Sequence, residues 1–313
     1  MRKYRAMGHG IEVTSLTKQF RVRKQNIIAI NDISFAINKG ERVAFIGPNG
    51  AGKSTTIKIL TGILHPTSGE ARVLGMVPWK QRRTLGFEIG TVFGQRSQLW
   101  YHLPPQDAFD LLSKIYELHR EDYQKQLKHL IEVFEIGDFL HRPVRKLSLG
   151  QRMRCELVAS LLHNPKMLFL DEPTVGLDVT AKLKIRNLLN YISNEQGTTL
   201  FLTSHDTADI EQVCERVIVL DRGKILRDCP LGRLRSEYVK RKIVTLKSDQ
   251  KELSLGLSGI EVLENSNYIF KCEVDLKSIP IDEVIHAALK KCSVKDITIE
   301  DPTMEEIIRN IYE

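Results

Sequence analysis

The chain has 313 residues, of which 42% are hydrophobic, and it carries a formal net charge of +7 at pH 7. This length is enough for one large domain and one small domain. No apolar run approaches the ~18 residues that a membrane-spanning helix needs, and the five scattered cysteines never show C-x-x-C spacing, which argues against a disulfide framework or a cysteine metal site. The basic residues form short clusters without an aromatic-interleaved basic helix. We therefore expect solvated surface charge, with a nearby membrane surface as the second interpretation, no nucleic-acid partner and a cytoplasmic location.

Strand-like and helix-like segments alternate up to about residue 235, which is typical of an α/β domain. We predict that this first domain covers residues 10–235. An apolar stripe from Ala108 to Leu118 marks a helical insertion at about residues 98–162. The predicted strands of the domain are Ile11–Leu16, Ile27–Ile37, Arg42–Ile46, Ile89–Phe93, Met167–Leu170, Thr198–Thr203 and Val217–Leu220.

Shorter elements follow the charged stretch Arg233–Lys242 and predict a small α+β domain over residues 236–313. Its residue pattern shows no chemistry that we can assign. Its predicted strands are Ile243–Leu246, Ile260–Leu263, Tyr268–Val274 and Val294–Ile299, and its predicted helices are Ile281–Lys291 and Thr303–Ile311.

A glycine-rich segment between a strand and a helix gives the strongest functional signal. It fits the pattern G-x-x-x-x-G-K-[S/T], it follows the apolar run Arg42–Ile46, and helical spacing continues to Leu60. Its backbone N–H groups and the helix N-terminus would hold an anion, Lys53 would reach the β- and γ-phosphates, and the Ser54 hydroxyl would hold Mg²⁺. The sequence therefore predicts a nucleoside triphosphate site formed by Gly47, Pro48, Asn49, Gly50, Ala51, Gly52, Lys53, Ser54 and Thr55.

An apolar strand that ends in two carboxylates gives the second signal. Met167–Leu170 leads directly into Asp171 and Glu172. In phosphoryl transfer the first of these acids would assist Mg²⁺, and the second would polarise the attacking water. Other polar motifs stand beside other predicted elements: Gln95, Leu147–Gln151, Val175–Asp178 and Ser204–Asp206.

These motifs, in this order, resemble those of the nucleotide-binding subunit of an ATP-binding-cassette (ABC) transporter over residues 11–235. The resemblance implies an α/β fold of the P-loop NTPase (RecA-like) type. This fold has a mixed sheet, an antiparallel β subdomain and a helical insertion, and here a small C-terminal α+β domain follows it. The resemblance also implies ATP and Mg²⁺ as ligands and ATP hydrolysis coupled to transport.

The resemblance assigns roles around the nucleotide held by the chain itself. It implies that Gln95 senses Mg²⁺ and the γ-phosphate, that Glu172 is the general base, and that His205 steadies the γ-phosphate. The implied metal ligands are Ser54, Gln95 and Asp171.

Further implied roles lie across an interface between two copies. Ser148, Gly150 and Gln151 match the signature motif, which contacts the ATP held by the second copy, and Asp178 matches the D-loop aspartate. Phe20 falls where the family keeps an aromatic ring that stacks on adenine, although packing in the core is an alternative.

One residue departs from the family's Leu-Ser-Gly-Gly-Gln pattern. Leu149 replaces the first glycine, which keeps the backbone N–H but adds a side chain and restricts the backbone. We expect this change to affect affinity or dimer geometry more than activity itself.

The resemblance implies an assembly of two cassettes arranged head to tail, and we expect the two to be identical subunits. Their closing motion would drive integral membrane permease subunits. The candidates for the membrane contact follow Gln95 closely and are Gln98, Leu99, Trp100 and Tyr101, and packing of the helical insertion onto the sheet is the alternative. The tail Glu300–Ile308 is similar to that of type-2 bacterial exporter ATPases, which favours export. An importer ATPase and a soluble cassette acting on translation or nucleic acid remain the alternatives. For the C-terminal domain we favour passive packing or dimer stabilisation over substrate sensing.

Overall fold

The computed structural model describes residues 8–22, 25–94, 97–238 and 241–312. The chain forms two compact units, the first ending at Cys229 and the second beginning at Pro230. The sequence places the boundary at residues 235/236. None of the described helices is both long enough and apolar enough to cross a membrane.

The first unit contains two sheets. One is antiparallel with strand order β2-β1-β4, and the other has strand order β5-β6-β7-β3-β8-β9, in which the strands from β5 to β8 run parallel. Its strands are β1 (His9–Val22), β2 (Gln25–Asn38), β3 (Arg42–Ile46), β4 (Ser68–Val73), β5 (Ile89–Phe93), β6 (Met167–Asp171), β7 (Thr199–Thr203), β8 (Arg216–Asp221) and β9 (Lys224–Pro230).

The helices of the first unit lie between these strands, and three of them form the predicted helical insertion between β5 and β6. Two short 3₁₀ turns, Gly137–Phe139 and Val144–Lys146, complete that insertion. The helices are α1 (Lys53–Leu60), α2 (Arg82–Gly86), α3 (Pro105–Ile115), α4 (Arg120–Phe134), α5 (Leu149–Leu161), α6 (Val179–Gln196) and α7 (Thr207–Val213).

The central strands are buried on both faces, which explains why their sequences are continuous apolar runs. Aromatic rings join the two sheets into one core. The Phe45 ring lies 5.6 Å from Phe35 on β2 and 5.0 Å from Phe201 on β7, measured between ring centroids. This packing fixes the carboxyl ends of β3, β6 and β7 relative to one another, and in parallel sheets those ends are where ligands bind.

The second unit has one antiparallel sheet with strand order β11-β12-β10-β13. Alternate residues of β10 and β12, including Val244, Leu246 and Phe270, point into a core that Val284 and Ala288 of a helix cover. Its elements are α8 (Leu231–Tyr238), β10 (Arg241–Ser248), β11 (Ile260–Ser266), β12 (Ile269–Asp275), α9 (Ile281–Lys291), β13 (Val294–Glu300) and α10 (Met304–Tyr312).

Candidate active site

The glycine-rich loop joins β3 to α1, as its sequence predicts. Gly52 stands directly before α1 with φ 108°, and a Cβ there would lie 2.4 Å from the Ala29 carbonyl oxygen on β2. A Cβ on Gly47 would lie 2.5 Å from the Leu220 carbonyl oxygen. Both positions therefore require glycine, one for backbone conformation and both for close approach. Of the other loop residues, Pro48, Asn49 and Gly50 are exposed at the surface, whereas Ala51 is buried.

Lys53, the first residue of α1, has a buried side chain whose ammonium is held by this loop. Its Nζ donates to the carbonyl oxygens of Gly47 at 2.6 Å and Pro48 at 3.1 Å. Burial lowers the pKa of Lys53, and the carboxylates of Glu172 and Asp171 oppose this shift. A buried cation is costly unless it is paired, so its position favours an anionic ligand at this loop.

Asp171 ends β6 beside the start of α1. Its Oδ1 accepts hydrogen bonds from the Ser54 hydroxyl at 3.2 Å and from the Thr203 hydroxyl at 2.6 Å. Thr203 ends the neighbouring strand β7, and its carbonyl oxygen accepts from the Glu172 N–H at 3.0 Å. The sequence interpretation placed Thr203 at the end of a predicted strand but did not include it among the site residues. The signal available in the sequence was a polar residue at the end of an apolar strand.

Glu172 and His205 meet just beyond the strand ends. The His205 Nε2 lies 2.9 Å from Glu172 Oε1 and 3.3 Å from Lys53 Nζ. A protonated Nε2 donates to the carboxylate, whereas an unprotonated Nε2 accepts from the ammonium, so the ring tautomer selects the partner. Glu172 has a left-handed backbone, with φ 55°. For a residue other than glycine this conformation costs on the order of 1 kcal/mol, and such strain is characteristic of functional sites.

The end of β5 passes close to the same two acids. The Gly94 N–H donates to the Asp171 carbonyl oxygen at 2.8 Å, and a Cβ on Gly94 would lie 2.5 Å from the Glu172 carbonyl oxygen. A larger residue at position 94, directly before Gln95 in the sequence, would therefore collide with the backbone of Glu172. Gln95 itself lies outside the described residues.

The signature motif forms the N-terminus of α5. The Ser148 hydroxyl accepts from the Gln151 N–H at 3.2 Å, and the Gln151 Oε1 accepts from the Ser148 N–H at 2.9 Å, which is a capping box. Leu149 is partly exposed, and its Cδ2 lies 3.1 Å from where a Cβ on Gly176 would stand. Gly150 approaches α6 so closely that a Cβ on it would lie 2.9 Å from the Ala181 Cβ.

Asp178 caps the N-terminus of α6, where its carboxylate accepts from the Ala181 N–H at 2.8 Å. The aspartate is therefore fixed beside the signature motif by its own helix. The backbone position of Gly176 in the same loop also approaches Leu149. These two sequence-predicted motifs lie together.

A buried polar cluster that the sequence interpretation missed supports the Glu172 and His205 loops. The carboxylate of Asp209 accepts hydrogen bonds from the hydroxyls of Thr174 and Ser204, the latter at 2.6 Å. It also pairs with the Arg186 guanidinium at 2.6 Å. Thr174 is close in sequence to Glu172 and Ser204 precedes His205, so one carboxylate holds both loops. The cluster is visible only in the structure, where Arg186 of α6 lies against Asp209 of α7.

Phe20 lies on β1 opposite Ile27 of β2, in the ribbon whose Ala29 contacts Gly52. The Phe20 ring is half-buried, and the Lys18 Nζ lies 5.0 Å from its centroid. The ring is therefore neither fully buried in the core nor fully exposed.

The fold and this loop geometry define a P-loop nucleoside triphosphatase. The family model described as "ABC transporter" matches residues 30–175. The chain is 30% identical to the ABC transporter ATP-binding protein NatA of Bacillus subtilis over 69% of this chain and 87% of that protein. It is 29% identical to the bacitracin transport ATP-binding protein BcrA of Bacillus licheniformis over 78% of each.

Solved structures agree with these relatives. The ATP-binding cassette MJ0796, in a dimeric post-hydrolysis state bound to ADP and Pi, superimposes with a TM-score of 0.65 at 27% identity, covering 71% of this chain and 98% of that one. The chain belongs to the ABC transporter family, as one of its ATP-binding proteins. The predicted fold class is confirmed, and ATP hydrolysis coupled to transport is the general function of these proteins.

Proposed function

We propose that this chain is the energising subunit of an exporter, in which two copies close head to tail around two ATP molecules and drive separate permease subunits. One observation carries the proposal: Lys53, Asp171, Glu172 and His205 converge at one strand edge. The signature motif lies at the start of α5, beside α6. In this proposal each site is divided between two copies, because the signature motif of the second copy completes it.

The converging residues supply the parts that phosphoryl transfer requires. The Glu172 carboxylate accepts a proton from water as the water oxygen bonds to the γ-phosphorus, and the bond from that phosphorus to the bridging oxygen breaks to release ADP. Lys53 balances charge on the β- and γ-phosphates, and His205 holds the γ-phosphate through its exposed ring. Loop N–H groups from Gly47 to Thr55 hold the phosphates, and Phe20 stacks on the adenine.

The Ser54 and Asp171 oxygens fit the role of magnesium ligands. A hydroxyl and a carboxylate 3.2 Å apart match the hard oxygen donors that Mg²⁺ prefers, and Mg²⁺ commonly uses one or two protein ligands together with phosphates and water. When bound, the ion neutralises charge that develops on the phosphates. Gln95 is the third ligand in this proposal.

Across the interface, the start of α5 faces the partner's nucleotide. The Ser148 hydroxyl and the backbone N–H groups at Leu149 and Gly150 offer donors at a helix N-terminus, which attracts anions. Gln151 keeps Ser148 in place through the capping box, and Asp178 holds the adjacent loop.

The membrane contact in this proposal lies just after Gln95. Trp100 is 42% exposed, Tyr101 is 59% exposed and Leu103 is also exposed, whereas Leu99 between them and Gln95 is buried. Large exposed aromatics on a loop suit an anchor in a partner's groove. The chain is then cytoplasmic and peripheral to the membrane through its permeases.

Export is the direction of transport in this proposal. The tail Glu300–Ile308 is similar to exporter tails, one relative is named for bacitracin transport, and another, from Escherichia coli, is named as a probable multidrug transporter. These names favour an exporter of small or peptide-like compounds over an importer.

Replacing Trp100 and Tyr101 together with alanine tests the transporter assignment. We expect recruitment of the chain to membranes that contain its permease to be lost, while ATP hydrolysis by the isolated chain stays within about threefold, since the nucleotide contacts lie on other loops. The matched control replaces Val262 and Leu263, an adjacent pair in the second unit whose side chains are comparably exposed. A double variant that loses thermal stability and hydrolysis together would show that the rings are core residues and would contradict the contact.

A further inference from the structure

A buried glutamate in the middle of α5 has no part in the chemistry above. Glu156 is 4% exposed, and its carboxylate accepts hydrogen bonds from the Ser97 hydroxyl and from the Gln98 N–H at 3.1 Å. The Leu99 N–H donates to the Ser97 hydroxyl oxygen at 3.1 Å. In return, the Gln98 side-chain amide donates to the Glu156 carbonyl oxygen at 3.0 Å. The segment 97–99 is thus held against α5 by hydrogen bonds to Glu156.

This arrangement is stable only as a whole. Burial raises the pKa of Glu156, and the hydrogen bonds from Ser97 and Gln98 and the charge of Arg152 oppose that shift. If the segment moved away, a carboxylate would remain buried without its donors, which costs far more than an exposed one. We therefore expect this contact to be either fully formed or fully broken. We call the hydrogen bonds between Glu156 and the segment 97–99 the lock.

The lock lies between two functional features of the chain. Ser97 stands two positions after Gln95 in the sequence, and Leu99 is buried directly before the exposed Trp100. On the other side, Ser148 starts the same helix, about 12 Å from Glu156 along its axis at 1.5 Å per residue. One helix therefore carries the signature motif at its end and holds the segment between Gln95 and Trp100 at its middle.

We propose that Glu156 is a positioning residue that makes the signature helix and the segment leading to Trp100 a single rigid body. Movement of α5, when its signature motif engages the partner's nucleotide, is then transmitted directly to the membrane contact. The transmission step rests on the proposed transporter function, but the lock itself does not.

Hydrogen exchange in the full chain tests the lock independently of any permease. Glu156→Ala should speed exchange of the Gln98 amide by about tenfold or more, because this amide loses a charged acceptor. Exchange of the Leu99 amide should also speed up, because the Ser97 hydroxyl that accepts from it is no longer held by Glu156. Ser160→Ala is the matched control, since Ser160 is equally buried on α5 but bonds only to Leu157 of its own helix. Ser97→Ala removes one donor from the loop side and serves if Glu156→Ala folds poorly. Unchanged exchange in both Glu156→Ala and Ser97→Ala would overturn the lock.

Tryptophan fluorescence and ATPase coupling test what the lock transmits. The chain has two tryptophans, so Trp79→Phe leaves Trp100 as the reporter. In that background, Glu156→Gln should increase the mobility of Trp100. The glutamine side chain replaces one acceptor oxygen with an NH₂ donor, so it cannot accept from both the Ser97 hydroxyl and the Gln98 N–H as the carboxylate does. This variant should also reduce permease stimulation of ATP hydrolysis about fivefold or more, with the KM for ATP unchanged. If exchange rises but stimulation persists, transmission is overturned. If wild type itself shows no stimulation, the proposed transporter function fails while the lock stands.

Discussion

The two units of the chain differ in whether their charged side chains are buried. Among the described residues, the buried charged side chains are Lys53, Glu156, Arg186 and Asp209, and all four lie in the first unit. In the second unit the ion pairs are at the surface, such as Arg241–Glu273 and Lys247–Asp296, each at 3.3 Å. Surface pairs contribute little to stability, whereas buried charges are costly and persist where they serve a site.

Sheet architecture accounts for this difference. In the first unit, parallel strands end at one edge, so Asp171, Thr203 and the loop before Lys53 are brought together there. In the second unit, the antiparallel strands alternate inward and outward residues, and apolar residues such as Phe270 fill the inner face. Charge in the core therefore locates the chemistry in the first unit, whereas the core of the second unit is apolar.

The largest effect expected from this comparison follows removal of Lys53. Lys53→Ala should lower ATP hydrolysis by about 10²–10³-fold or more, because a preorganised charge at the phosphates is lost. Lys58→Ala on the exposed side of the same helix should leave hydrolysis unchanged. A steady-state phosphate-release assay of both variants makes the test, and near wild-type turnover by Lys53→Ala would contradict the nucleotide site.

An intermediate effect, on stability alone, is expected in the second unit. Phe270 is fully buried, so Phe270→Ala should destabilise that unit by about 3–5 kcal/mol. Hydrolysis by the folded chain should stay within about twofold, because the catalytic residues lie in the first unit. Thermal unfolding beside the ATPase assay separates the two outcomes, with the exposed Leu289→Ala as control. A loss of activity without unfolding would mean that the second unit takes part in catalysis.

A small effect is expected at the signature motif. Leu149→Gly restores the family pattern, and glycine near a helix start costs up to about 1 kcal/mol, so turnover should change by about fivefold at most. The comparison variant is Gly150→Leu, whose new side chain would meet Ala181 and should be far more harmful. A loss with Leu149→Gly as severe as with Lys53→Ala would show that the leucine side chain is required.

Sequence patterns predicted most of the central elements because buried parallel strands are continuous apolar runs. Predicted and observed bounds coincide for β3, β5 and α9. The strands β4 and β9 were missed because they are short, mostly exposed strands at a sheet edge, so they contain no continuous apolar run.

The candidate site was predictable only in part. Motif spacing identified Lys53, Asp171 and Glu172, and the family resemblance added His205. The structure places His205 against Lys53 and Glu172, and Asp171 against Ser54, the residue after Lys53. Glu156 and the other buried supports could not be inferred, because their partners are distant in sequence and ordinary in type. A lone glutamate on a helix predicts a solvated surface residue until the fold shows what surrounds it.

The head-to-tail closure around ATP is the central claim, and one variant tests it most directly. Glu172→Gln keeps the size of the side chain but removes the base, so it should bind ATP, fail to hydrolyse it and accumulate as a dimer. Size-exclusion chromatography with light scattering should show twice the monomer mass of 35.8 kDa with ATP and Mg²⁺, and a monomer without them. The surface variant Glu195→Gln should hydrolyse ATP as wild type does. A Glu172→Gln chain that stays monomeric with ATP and continues to hydrolyse it would contradict both the base and the divided site.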